Sequence, residues 1–225
     1  RLNGNPYMEE ACLRAAGISF DNSDYETAIS HFRHLTEVAS TEGNRRIGQL
    51  GVLRCASNLG DETTVLRIAT ELLSVDGLPE DIRQEALYGR AKAYLHQGNN
   101  GLAVVDLTPL AQEAVTAIGA ESKYLLAQAY YNMNALDNAE AEIMAFAQMN
   151  TQHQYWLAKA MILLADISLK RDDTYQAQQY LLALQANYHA DDDIQSIIAA
   201  RLQAVNARMQ AEQNAGEDEA EPVED

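Results

Sequence analysis

The chain has 225 residues, of which 47% are hydrophobic, and its 33 acidic against 16 basic side chains give a formal net charge of −17. The apolar content is enough for a packed core, and the dominance of alanine, leucine, glutamine and glutamate favours helix over sheet. The acidic balance excludes a nucleic-acid partner, because phosphate backbones need a basic surface. No run approaches the roughly 20 apolar residues that span a bilayer, so no membrane insertion is predicted.

The predicted helices occur in pairs, and each pair is joined by a short stretch with the composition of a turn. Each stretch ends in a small residue, and these residues, at positions 28, 65, 103, 139 and 177, lie 37, 38, 36 and 38 residues apart. That period fits a unit of two helices, so the chain contains an internal repeat. In chain order the turns are FDNSDYETA (20–28), SNLGDETTV (57–65), LHQGNNGLA (95–103), YNMNALDNA (131–139) and LKRDDTYQA (169–177).

Aligned columns around the turns predict which residues turn the chain and which form its core. Five residues before the small residue, every unit has a type that tolerates left-handed backbone or bonds to a turn, namely Ser23, Gly60, Gly98, Asn134 and Asp172. Because glycine is interchangeable there, HQGNNG is predicted to be a turn and not a phosphate-binding loop.

The core columns combine small residues in both helices with large apolar residues in the second helix, at the spacing of an amphipathic helix. The small column of the second helix is Ala28, Val65, Ala103, Ala139 and Ala177; that of the first helix is Ala16, Leu53, Ala91, Ala127 and Ala165. The large columns are Phe32, Ala69, Leu107, Ile143 and Leu181, then Leu35, Leu72, Leu110, Phe146 and Leu184.

These columns divide the chain into five predicted units at 9–45, 46–83, 84–119, 120–157 and 158–190. Pro109 lies inside the second helix of the third unit, where its missing N–H and its ring predict a kink or helix restart near Thr108. Residues 191–213 carry one apolar stripe and are predicted to form a helix that caps the last unit. The acidic stretch 214–225 is predicted to be disordered.

The pattern resembles the tetratricopeptide repeat (TPR), whose units carry a small residue, a tyrosine and an alanine at fixed positions. Ala91, Tyr94 and Ala103 match in the third unit, as do Ala127, Tyr130 and Ala139 in the fourth. The resemblance implies an all-α, right-handed superhelical solenoid of antiparallel helix pairs. The early tryptophan of the family is absent, since Cys12, Gln49, Leu87, Lys123 and Met161 stand there.

The TPR resemblance also bears on the chain's context. The units exceed the common 34 residues, as do those of bacterial envelope TPR proteins, and this likeness slightly favours the envelope or periplasm as a location. Residues 1–8 are expected to be the end of an upstream repeat or a linker, because Pro6 falls where a helix-ending proline would sit.

The family resemblance places a partner-binding groove on the first helix of each unit. Tyrosine and arginine at such positions are typical binding anchors, and the chaperone-tail clamp of some TPR domains is not expected, because Leu13 and Gly17 replace its Lys and Asn. We therefore predict a non-catalytic scaffold for a protein or peptide. The predicted groove residues are Arg14, Arg54, Tyr88, Lys92, His96, Tyr124, Gln128 and Tyr131.

Two alternatives remain from the sequence. The fifth unit begins with a helix that is apolar almost all round, with Ile162 and Leu163 at groove positions, so this unit and the terminal helix are an alternative surface for self-association or assembly. An enzyme is not expected: the pair His31 and His34, with Glu37 three residues further on, has no third or fourth metal ligand apparent locally, and Cys12 has no nucleophile signature. No catalytic residue, metal or cofactor is predicted.

Overall fold

The computed structural model describes residues 6–220, and the side chains of residues 7–214. Within that range the chain is all-α, with eleven helices and no strand. None of these helices is both long and apolar enough to cross a membrane. The helices are α1 (Pro6–Asp21), α2 (Tyr25–Val38), α3 (Glu42–Leu59), α4 (Glu62–Leu73), α5 (Glu80–His96), α6 (Asn100–Leu110), α7 (Ala117–Asn132), α8 (Leu136–Gln148), α9 (Gln154–Lys170), α10 (Thr174–Asn187) and α11 (Ile194–Ala220).

The chain divides into two compact units, which we call unit 1 (Arg1–Leu110) and unit 2 (Ala111–Asp225). In unit 1, α1 to α6 form three hairpins, and each helix packs on the next; α1 also contacts α3, and α3 contacts α5. In unit 2, α7 to α10 form two hairpins in the same manner, and α11 packs on α10 and α9. The predicted helix pairs are therefore confirmed as helical-repeat units.

The five predicted turn residues all adopt the left-handed backbone conformation. Their φ angles are 59° at Ser23, 69° at Gly60, 73° at Gly98, 59° at Asn134 and 60° at Asp172. In the third hairpin, Gly98 N donates to Leu95 O at 3.0 Å and Asn99 N donates to Tyr94 O at 2.8 Å. The other four hairpins repeat this pair of bonds, which is the Schellman arrangement that ends a helix with a left-handed residue.

The predicted core columns are buried in both units. Every small-column residue is at most 4% exposed, and Leu107, Ile143 and Phe146 are fully buried. The exception is Leu184, which is only partly buried, although it still packs against the apolar cluster of α9, α10 and α11. Close helix contact is the physical reason for the small columns, because a larger side chain there would separate the paired helices.

Pro109 ends a helix where the sequence predicted a kink or restart. Helix α6 stops at Leu110, one residue after the proline, and α7 begins at Ala117. Proline supplies no N–H to the preceding turn and its ring crowds the carbonyl four residues earlier, so continuation is unfavourable. The next helix is started by Thr116, whose hydroxyl oxygen accepts a hydrogen bond from Gly119 N at 3.0 Å.

Helices α1 and α11 extend beyond the boundaries predicted at residues 9 and 213. Pro6 is the first residue of α1, a position that suits proline because its missing N–H is not needed there. Helix α11 continues past residue 213 to Ala220. Residues 1–5 of the predicted upstream segment and residues 221–225 of the predicted acidic tail lie outside the described residues.

Candidate functional site

The eight predicted groove residues divide between the two units. Unit 1 contains Arg14, Arg54, Tyr88, Lys92 and His96, and unit 2 contains Tyr124, Gln128 and Tyr131. A single groove shared by all eight residues remains a prediction.

In unit 1 three of the predicted groove residues lie against carboxylates of the same unit. Arg54 makes a two-pronged ion pair with Glu85, at 2.7 Å from Nε and 2.5 Å from Nη2, and this hydrogen bonding raises the Arg54 pKa above its ordinary value. Arg14 Nη2 lies 2.6 Å from Glu10 Oε1. His96 Nδ1 lies 3.1 Å from Glu62 Oε1. The charges of Arg14 and Arg54 are thus balanced locally.

Tyr88 and Lys92 are coupled along one face of α5. Lys92 Nζ donates to the Tyr88 hydroxyl at 3.1 Å and lies 5.0 Å from the centre of the ring. Both side chains are half-buried. The predicted spacing of four residues therefore brings them together, as expected on a helix.

In unit 2, by contrast, the three predicted residues line a pocket of about 320 Å³. Tyr124, Gln128 and Tyr131 share one face of α7, and the facing walls come from α9 and from the first turns of α11. The volume is at the small end of the usual ligand range. The full lining is Tyr124, Gln128, Tyr131, Asn132, Lys159, Ile162, Leu163, Asp166, Ile197 and Arg201; we call this the unit 2 pocket.

Aromatic rings surround a lysine in the unit 2 pocket. Tyr124 is 9% exposed and stacks on Trp156 with ring centres 5.7 Å apart. Lys159 Nζ lies 5.2 Å from the ring centre of Tyr124, 5.5 Å from that of Tyr155 and 5.3 Å from that of Trp156. Burial raises the Tyr124 pKa. The Tyr124 side chain therefore both packs against a neighbouring helix and lines the pocket.

An ion pair between two helices also lines the pocket. Arg201 Nε of α11 lies 3.1 Å from Asp166 Oδ1 of α9, and the Asp166 side chain is 19% exposed. Burial raises the Asp166 pKa, and the guanidinium of Arg201 opposes that rise. The charged lining residues are thus two cations and one carboxylate, on a chain whose net charge is −17.

Sequence reasoning missed Lys159, Asp166 and Arg201 as site residues. Lys159 and Asp166 occupy the same places in the fifth unit that Glu121 and Gln128 occupy in the fourth, so the groove positions that gave Gln128 also contain them. Arg201 has no such signal, because α11 lies outside the repeat. Ile162 and Leu163, the apolar residues at groove positions, line the pocket and are each 6% exposed.

The residues considered for chemistry include His34, which lies beside Glu37, and the buried Cys12. His34 Nδ1 lies 3.5 Å from Glu37 Oε2, and no cluster of three or more metal-ligating side chains is found among the described residues. Burial raises the pKa of the Cys12 thiol and raises that of Cys55 to about 11. A thiol with a raised pKa is mostly protonated at neutral pH and is a weak nucleophile.

The paired helices and their repeated turns define a helical-repeat, all-α protein that is compatible with TPR-like repeats. Comparison with protein-family models and with curated protein sequences finds no match.

Proposed function

We propose that this chain is a non-catalytic protein–protein interaction scaffold that binds a peptide or partner segment. In this proposal the TPR-like hairpins build a right-handed superhelix, α11 caps its last hairpin, and the unit 2 pocket holds an anchoring side chain of the partner. The proposal fits an envelope or periplasmic location as well as a cytoplasmic one.

The observation that carries this proposal is the unit 2 pocket. It is concave, it combines apolar walls with a few polar groups, and three elements converge on it, which are the features of a binding site. Tyrosine and arginine, the residue types that dominate binding energies at interfaces, both line it. The pocket is too small for a folded domain, and it suits one or two side chains of an extended segment.

The alternative of an assembly module has less support. The apolar residues that suggested it are packed inside unit 2: Ile162 and Leu163 are 6% exposed, and Ile194, Ile198 and Val205 of α11 are at most 1% exposed. Exposed apolar patches larger than several hundred Å² mark association surfaces, and these buried side chains do not provide one.

The proposal is tested by filling the unit 2 pocket. Peptides are selected from a random 12-residue library on the immobilised chain, and their affinities are measured by fluorescence polarisation. Gln128→Trp places an indole in the pocket and should weaken binding by about ten-fold or more. The matched control is Gln148→Trp on the exposed end of α8, which should leave binding unchanged. Failure to select any peptide, or equal affinities for both variants, would refute the proposal.

A further inference from the structure

The unit 2 pocket contains an ammonium group that its surroundings leave without an acceptor. Lys159 Nζ lies within 5.5 Å of three ring centres, yet among the described residues it forms no ion pair or hydrogen bond. Aromatic faces attract a cation, but they do not replace the oxygen acceptors that three N–H donors require. The side chain is half-buried, so its charge is screened less by solvent than a charge at an open surface.

The other charges around the pocket are already engaged. Asp166 forms an ion pair with Arg201. Asp192 lies on the Tyr155 side, where it accepts hydrogen bonds from the Tyr188 hydroxyl at 2.5 Å and from Ile194 N at 3.0 Å. Asp193 and Glu121 also face Tyr155 and, after burial, help to raise its pKa. Lys159 is therefore the cation of this pocket that lacks a carboxylate within 4.0 Å among the described side chains.

We propose that the unit 2 pocket binds a carboxylate group of a peptide, with the Lys159 ammonium as its charge partner. This inference rests on the proposed function. A carboxylate supplies the oxygen acceptors that Lys159 lacks, and charge-assisted hydrogen bonds of this kind are about twice as strong as neutral ones. An acidic side chain and a free carboxyl terminus offer the same chemistry, and both fit a volume of about 320 Å³.

The acidic surface of the chain does not prevent this binding. The net charge of −17 repels an acidic peptide at long range, but the Debye length at physiological ionic strength is about 8 Å, so distant carboxylates are largely screened. Contacts inside the half-buried pocket are screened much less. The local charge of Lys159 therefore outweighs the distant acidic groups once the ligand has entered.

The inference is tested with the selected 12-residue peptides, which are made with free carboxyl termini. Each peptide is resynthesised with its Asp and Glu residues changed to Asn and Gln, and separately with an amidated terminus. One of these changes should weaken binding to the unaltered chain by about ten-fold or more, and the form that loses affinity identifies the source of the carboxylate.

Variants of the chain provide the second measurement. Lys159→Met keeps an unbranched side chain against the rings and should weaken the binding of the parent peptide by about ten-fold. Lys159→Arg keeps the positive charge and should retain most of the affinity. Arg67→Gln is the control for net charge, because Arg67 is exposed in unit 1 and pairs with Glu71 at 2.9 Å; it should leave binding unchanged.

The outcomes separate this inference from the proposed function. If the peptides respond to Gln128→Trp but are indifferent to both neutralised forms, the carboxylate inference is overturned and the scaffold proposal stands. Equal affinity for the chain and its well-folded Lys159→Met variant also overturns the inference. If no peptide is selected, both the scaffold proposal and the carboxylate inference are refuted. The peptide comparison uses the unaltered chain, so it remains decisive even if a variant fails to fold.

Discussion

Arg201 on α11 pairs with Asp166 on α9, with Arg201 Nε 3.1 Å from Asp166 Oδ1, and this contact ties the terminal helix to the last hairpin. The carboxylate is mostly buried and the guanidinium is half exposed. Because burial outweighs the attraction of Arg201, the Asp166 pKa is raised above its ordinary value of 3.8. The pair therefore links two helices of the pocket at some cost in stability.

Asp166→Asn should stabilise the folded chain more at neutral pH than in acid. A carboxyl group with a raised pKa binds protons more readily in the folded state, so its cost to stability is absent below about pH 3.8, grows as the pH rises, and is complete above the raised pKa. The amide resembles the protonated acid and avoids that cost. We expect the melting temperature of the variant, relative to the unaltered chain, to be higher at pH 7 than at pH 4 by calorimetry. A constant difference across this range would contradict the assignment.

Glu9 should show the opposite pH dependence. Its carboxylate accepts hydrogen bonds from Ser40 N at 2.9 Å and from Asn44 Nδ2 at 2.5 Å, and these bonds lower the Glu9 pKa from 4.5. Its stabilisation is therefore present above pH 4.5 and is lost as the pH falls through the lowered pKa. Glu9→Gln turns an amide donor toward Asn44. The melting temperature of this variant should therefore be lower than that of the unaltered chain at pH 7, and the two should differ little in acid. Glu10→Gln, at the neighbouring exposed residue, is the matched control.

The left-handed turn residues should respond to substitution in opposite directions. Gly98→Ala should destabilise the chain by about 1–2 kcal/mol, since a Cβ disfavours this conformation. The added Cβ would meet no atom within 4 Å, so the effect reports the backbone alone. Ser23→Gly should stabilise by a fraction of that amount, because glycine relieves the strain but adds freedom to the unfolded chain. Chemical denaturation measures both, and an unchanged Gly98→Ala would show that φ at this residue is not 73°.

The small columns can be tested with one substitution at two neighbouring positions. Ala139 is 0% exposed, so Ala139→Glu forces a carboxylate into a close helix contact and should destabilise by roughly 3 kcal/mol or more. Ala141 is exposed on the same helix, and Ala141→Glu should change stability by about 0.5 kcal/mol or less. Equal effects in denaturant unfolding would mean that the repeat register is wrong.

The sequence predicted the hairpins well because their geometry restricts the residue types locally. A left-handed turn excludes most side chains, so Ser23, Asn134 and Asp172 could be aligned with the glycines by residue type and spacing alone. The buried columns were predictable for the same reason, since helix periodicity alone decides which residues face inward. The end of α6 was harder, because proline destabilises a helix interior without specifying whether the helix bends, restarts or stops.

The unit 2 pocket was only half predictable. Tyr124, Gln128 and Tyr131 follow from the spacing of one helix. The same groove positions, applied to the fifth unit, would also have predicted Lys159. Its aromatic surroundings depend on how α7 and α9 pack, which no local pattern gives. Arg201 depends on where a helix outside the repeat comes to lie. The charge balance of Arg54 with Glu85 was likewise hidden, because the two residues are 31 positions apart.

The five Schellman turns have a consequence for how this chain can diverge. Each hairpin is closed by the same two main-chain hydrogen bonds and one left-handed residue, whatever the surrounding side chains. Substitutions in a turn can therefore accumulate independently from hairpin to hairpin, provided that they keep this backbone geometry. The repeats of this molecule resemble one another more in backbone dihedral angles than in amino-acid identity. Relatives of this chain should therefore be sought by comparing backbone structures and not sequences.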